Sequence, residues 1–295
     1  MEPFHGLALW NNHQSKHLAS LRQKTFATDF KSDRGIVFIE PRKHPSCEYV
    51  LRNMRYFLPT WKIYVVHGTS NEDFLKEICA TIPGTEFISC KAANLPNASY
   101  NTLFISPKFW SLLPRYVLIA QTDTLLLKPA SEMLESFISK QYAFVGAPWN
   151  YLCNRCKKPI TEGCGHMIDQ SVVASMAPDM VGNGGLSFRD TLKMKELCSL
   201  YCMEAKPCPE TFLNWPAETT RTEIKGTSNE DVFFCKALTM TLCPMPSRHE
   251  ALEFAVEQVA PFAWTSSESP AIGAHKPWAY LPLPLVESLL NCVNY

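Results

Sequence analysis

The chain has 295 residues, 46% of them hydrophobic and 19% charged, with 28 basic against 28 acidic side chains and a formal net charge of +0. That supplies enough apolar material for one large α/β domain or two small ones and excludes extensive disorder. The balance leaves no basic stripe, which argues against nucleic acid as a partner, and no apolar run approaches the ~18–20 residues of a membrane span.

Residues 1 to 33 are mixed and polar and read as an N-terminal extension, or an added helix, outside the core. They lack the positive leader of a signal peptide. With twelve cysteines, this points to a cytosolic protein whose thiols are reduced, metal-bound or buried, rather than to a disulfide scaffold. Ile36 to Ile39 is the first strand, ending at Glu40 and Pro41, and a helix capped by Ser46 follows, with Tyr49, Val50, Met54 and Phe57 as its apolar face. Trp61 to His67 is a second strand; Asn71 leads into a helix carrying Glu72 and Asp73 in its first turn; Glu86 to Ser89 is a weaker third strand. Strands alternating with helices at this spacing predict α/β architecture with parallel strands and crossover connections.

Tyr100 to Leu113 reads as a helix that feeds the central strand, Val117 to Ala120. That strand is a short run rich in aliphatic residues, too short for a helix, and it opens into Gln121-Thr122-Asp123. A carboxylate ending a buried strand is costly unless paired, and in open α/β sheets ligands sit at this end of the strands. Asp123 is either a ligand-binding carboxylate or the cap of the next turn. A helix from Ser131 and a strand from Tyr142 to Val145 lead to Trp149. Residues 150 to 180 form a Cys-rich insertion whose Cys153, Cys156, Cys164 and His166 have the residue types of a structural zinc clip, the alternative being free thiols. Val181 to Arg189 returns to the core through Gly182-Asn183-Gly184-Gly185, a helix begins near Thr191, and a polar segment spans 204 to 228. Asn229 caps a helix that opens on Glu230-Asp231, and a late segment carries His275-Lys276. No linker divides residues 34 to 295.

Each of these polar groups has a plain structural explanation. The glycines can be a tight turn, Glu230-Asp231 a helix start, His275 a core histidine and Trp149 an aromatic plug. Their order, however, is similar to that of the GT-A nucleotide-sugar glycosyltransferases. The motifs YN..FIS..FW, VLIAQTDTLL, FVGAPW, VGNGGLSFR, NEDVFF and GAHKPW resemble more closely a GT-A-like family of microbes and large DNA viruses catalogued as a domain of unknown function. That resemblance spans residues 35 to 280. It implies a GT-A-like fold and transfer of a sugar from a nucleotide-sugar donor to a glycan or glycoconjugate acceptor, in the cytoplasm (the host's, for a viral chain).

Residue by residue, the resemblance places Gln121, Asp123, Glu40 and Lys276 at the donor and Trp149, Asn183, Gly184 and Gly185 at the acceptor. Asp123 and His275 would hold a divalent cation, Mn²⁺ or Mg²⁺. Asp231 is the candidate base of an inverting transfer, with Glu230 second. A helix N-terminus lowers a carboxyl pKa, so Glu230 is expected to offset that effect at Asp231. The acidic motif usual in GT-A enzymes has two aspartates flanking one residue; Gln121 replaces the first, and an amide is a poor cation ligand. That departure keeps a second reading open, a GT-A-derived module that binds glycans or nucleotide sugars without turnover. A sugar nucleotidyltransferase would need a glycine-rich basic turn after the first strand, which Pro41 to Pro45 does not provide.

Overall fold

The computed structural model describes residues 2–149, 182–201, 229–258 and 271–295. Alternating side chains on the strands build two cores, one on each face of a sheet. Strand β1 (Lys31–Glu40) sends Ile36 and Phe38 to one face and Val37 and Ile39 to the other. Parallel to it run β2 (Trp61–His67) on one side and β4 (Tyr116–Ala120) on the other, and β3 (Thr85–Ser89) extends the sheet beyond β2. Beyond β4 lie β7 (Leu186–Asp190), antiparallel, and β6 (Phe144–Gly146) at the edge, giving the order β3-β2-β1-β4-β7-β6. The fold is therefore α/β with a mixed, mostly parallel sheet.

One face is covered by α1 (Glu2–Arg22), α2 (Cys47–Phe57), α3 (Glu72–Cys79), α6 (Ser131–Ser139), α9 (Arg248–Phe254) and α10 (Leu283–Asn291). The other carries α4 (Asn97–Phe104), α5 (Pro107–Trp110), α7 (Thr191–Tyr201) and α8 (Glu230–Met240). The chain from Tyr100 to Leu113 is thus two helices, broken where Pro107 cannot donate to the preceding turn. The N-terminal segment also differs from the expected extension outside the core. Trp10 and Leu21 of α1 are fully buried, and Trp10 packs on Trp278 with ring centroids 4.3 Å apart. Apolar positions too sparse to make a strong stripe still dock when a neighbouring helix supplies the other half of the contact.

A second, three-stranded sheet does the positioning. Strand β5 (Thr124–Leu126) pairs antiparallel with β9 (Gly273–His275), and β8 (Ala255–Val256) pairs parallel with β9 on its other side. Thr124 lies opposite His275 and Val256 opposite Ala274. Asp123, His275 and Glu257 therefore come level with one another across three strands.

Candidate functional site

Strand direction brings the polar groups together. Because β4 ends and the antiparallel β7 begins at the same edge, with Ala120 opposite Leu186, the loop after β4 meets the glycine turn before β7. The N-terminus of α8 closes the third side. Asn97, Tyr100, Asn101, Gln121, Asn229 and His275 line the resulting cavity of about 160 Å³, with the turn Asn183 to Gly185 and the pair Glu230-Asp231.

Asp123 is 26% exposed overall, yet its Oδ1 is sealed from solvent and faces His275 Nε2 at 3.3 Å. Neither atom makes a hydrogen bond. They meet as an ion pair with no hydrogen bond of their own, a spacing that also suits two ligands of one cation. Divalent cations hold carboxylate and imidazole ligands at about 2.0–2.3 Å, so two adjacent ligand atoms lie about 3 Å apart, and the pair fits. Among the described residues no group of three or more His, Cys, Asp or Glu could hold a metal, so such an ion would take its other ligands from a bound molecule or water. Burial opposes the charged form of both partners, but their mutual attraction outweighs it. His275 is raised to about 9 by Asp123 and Glu257, and Asp123 is held below its ordinary value by His275 and Lys276. Lys276, in the left-handed region at φ 45°, donates its backbone N–H to the Asp123 carbonyl at 2.8 Å.

The glycine turn is tight for a stated reason. A Cβ on Gly184 would lie 2.2 Å from Glu230 Oε1, and one on Gly185 2.2 Å from His275 Nε2. Gly185→Ala is accordingly expected to push the imidazole out of line with Asp123. It should cost about 1–3 kcal/mol by overpacking, read by urea unfolding, and should abolish any Mn²⁺-dependent rise in the melting temperature.

Glu230 and Asp231 part company in the structure. Glu230 is buried and spends both oxygens on Arg189, whose Nη1 and Nη2 donate at 2.6 and 2.9 Å. Asp231 accepts from the Val232 N–H at 2.8 Å through Oδ1 and from the Gly184 N–H at 3.2 Å through Oδ2. Burial and the neighbouring Glu230 carboxylate raise its pKa to about 7, outweighing those two hydrogen bonds. The helix N-terminus does not win, because desolvation of a carboxyl exceeds a terminal dipole effect. Asn229 makes no capping bond with its side chain; the Glu230 N–H instead donates to Asn101 Oδ1 of α4 at 3.0 Å.

Gln121 donates to the Tyr100 hydroxyl at 2.7 Å on the cavity wall. Four expected site residues, Asp123, Lys276, Glu40 and Trp149, are not among the residues lining the cavity; Asp123 meets it through its contact with His275, which does line it. Glu40 gives both carboxylate oxygens to Arg42, and Trp149 packs against the second core with its carbonyl accepting from Arg248. Cys153, Cys156, Cys164 and His166, the proposed zinc ligands, lie outside the described residues. Sequence reasoning missed Glu257, Arg189 and the amides Asn97 and Asn101. Glu257 ends the apolar run Phe254 to Val256, the same signal that marks Asp123.

The family model described as "Protein of unknown function (DUF5672)" matches residues 85–275. The chain belongs to this family. The DUF5672 match runs from β3 to His275 and includes Asp123, the glycine turn, Glu230-Asp231 and Glu257. No curated protein matches the sequence. Solved structures that are similar include the bifunctional glycosyltransferase WbbM in its apo form, at 12% identity and a TM-score of 0.49, covering 85% of this chain and 47% of that one. The chain thus spans about half the length of WbbM. The galactosyltransferase LgtC, in complex with donor and acceptor sugar analogues, matches at 8% identity and a TM-score of 0.44, covering 88% and 96%. The mannosyltransferase PcManGT of Pyrobaculum calidifontis, in complex with GDP-Man and Mn²⁺, matches at 13% and 0.38, covering 70% and 61%. Among the described residues no helix is long and apolar enough to cross a membrane.

Proposed function

We propose that this DUF5672 protein is a GT-A-like glycosyltransferase that moves a sugar from a nucleotide-sugar donor to a hydroxyl of a glycan or glycoconjugate, with inversion. The observation that carries the reading is the sealed contact of Asp123 Oδ1 with His275 Nε2 at 3.3 Å, His275 lining the same cavity as an Asp231 raised to about 7. One end supports an anionic leaving group; the other supplies a base.

Asp123 and His275 would hold a divalent cation, and the imidazole ligand favours Mn²⁺ over Mg²⁺, which prefers oxygen and water. When bound, the cation neutralises charge developing on the leaving diphosphate. Lys276 adds positive charge beside Asp123. Gln121 and Tyr100 present amide and phenol groups to the donor, and the turn from Asn183 to Gly185 forms part of the wall offered to an acceptor sugar. Asp231 takes the proton of the attacking hydroxyl as the bond to the anomeric carbon forms, and the diphosphate leaves from the opposite face. Glu230, chelated by Arg189, is not free for that task.

Gln121 in place of a second aspartate favours one rival, a module that binds the same ligands without turnover. Product formation from a panel of nucleotide sugars with Mn²⁺ separates the two. At about 100 times its Kd, Mn²⁺ should stabilise the parent by about 2.7 kcal/mol; Asp123→Ala should lose that stabilisation while melting normally in chelator. Equal Mn²⁺ stabilisation of Asp123→Ala would remove it from the site.

A further inference from the structure

We propose that Glu257 is a positioning residue that fixes the His275 ring with Nε2 towards Asp123 and couples it to the glycine turn through Asn183. This rests on the cation reading of Asp123 and His275.

Glu257 follows β8 directly, so the pairing of β8 with β9 sets it beside His275. Its side chain is only 3% exposed. One oxygen, Oε1, serves two neighbours: His275 Nδ1 at 3.0 Å and Asn183 Nδ2 at 2.9 Å. An imidazole that ligates a cation is neutral and carries a single N–H. Giving it to Glu257 from Nδ1 leaves the Nε2 lone pair directed at the sealed Asp123 Oδ1. Asp123 Oδ1 and His275 Nε2, 3.3 Å apart, are spaced to share a cation, and a carboxylate behind a ligand histidine fixes its tautomer and raises its basicity.

Asn183 extends the contact to the turn. Its Oδ1 accepts from the Gly185 N–H at 2.7 Å while its Nδ2 donates to Glu257. Gly185 in turn lies against His275 Nε2. The contacts close a ring from Gly185 through Asn183, Glu257 and His275 back to Gly185. A displacement of the turn by a bound sugar is thereby felt at the imidazole.

The test is Mn²⁺ titration of the full chain, followed by the electron paramagnetic resonance signal of free Mn²⁺. It uses the parent, Glu257→Gln, His275→Ala, their double variant and Asn183→Ala, each with its unfolding midpoint in chelator. Glu257→Gln should weaken Mn²⁺ binding about 10–100-fold and have no further effect once His275 is Ala. Asn183→Ala should weaken binding by less, again only while His275 is present, and it carries the test if Glu257→Gln does not fold. Parent-like Mn²⁺ affinity in Glu257→Gln, or an equal loss in the His275→Ala background, overturns the positioning role and leaves the cation reading standing. No Mn²⁺ binding by the parent, or full affinity in His275→Ala, overturns both.

Discussion

Arg189→Met is expected to destabilise the protein by about 3–5 kcal/mol, the range found when one member of a buried ion pair is removed. The Arg189 guanidinium is fully buried at the end of β7, bonded to both oxygens of Glu230 and, through Nε, to Ser187 Oγ at 3.0 Å. Four aromatic rings enclose it, from Phe104, Trp110, Phe144 and Phe234, with Phe144 nearest at 4.2 Å from the guanidinium carbon to the ring centroid. Methionine fills much of that space but leaves the Glu230 carboxylate buried and unpaired at the start of α8. Urea unfolding should therefore show a large drop in midpoint, and the double variant Arg189→Met/Glu230→Leu should recover most of it, since an apolar pair of similar volume avoids the stranded charge. A single-variant loss under about 1 kcal/mol, the scale of an exposed pair, would mean that water reaches Glu230 and that the pair does not anchor α8. The contrast also bears on function. The Glu230 carboxylate so held lies beside Asp231 and is one of the causes that raise it, after burial.

The parallel strands were legible because each is a short apolar run closed by a polar break, and β1, β2 and β4 fall where those runs lie. Asp123 was legible for the same reason: a charge ending such a run has to meet something. The antiparallel course of β7 was not, since it shows only in the pairing of β7 with β4 and β6 and not in the composition of Leu186 to Asp190. The docking of α1 was equally hidden, because Trp10 packs on Trp278, far away in sequence. Glu257 could have been found by the rule applied to Asp123, but the two-residue β8 preceding it is too short to register as a strand. Arg189 stood inside a recognised motif with no role assigned. Burying a guanidinium on a strand makes sense only once Glu230, 41 residues away, is known to lie against it.

Asp231→Asn is expected to lower the rate of sugar transfer about 10²–10⁴-fold, the cost of losing a general base, with donor binding nearly unchanged. Asp231 accepts one backbone N–H at each oxygen, which leaves a lone pair on each for a proton from the acceptor hydroxyl. Asparagine can keep only one of the two bonds, so a loss of about 1 kcal/mol in stability accompanies the change. The pH dependence separates the base from a simple helix start. Burial and Glu230 raise Asp231 to about 7, so the base is ionised only as pH rises through neutrality, and kcat/KM should climb across that window. Stability should move the opposite way. The folded carboxyl holds its proton at pH values where the unfolded one, near the ordinary value of about 3.9, has released it. Its contribution is therefore full below about pH 4 and is lost as pH rises through 7. In Asp231→Asn both trends should flatten, the acid limb of the rate profile and the fall in unfolding free energy together. The anomeric configuration of the product, read by proton NMR, completes the assignment, since a base on the acceptor side accompanies inversion. Turnover of the asparagine variant within a few-fold of the parent, or a product that keeps the donor's configuration, would return Asp231 to the role of holding the Gly184 turn against α8.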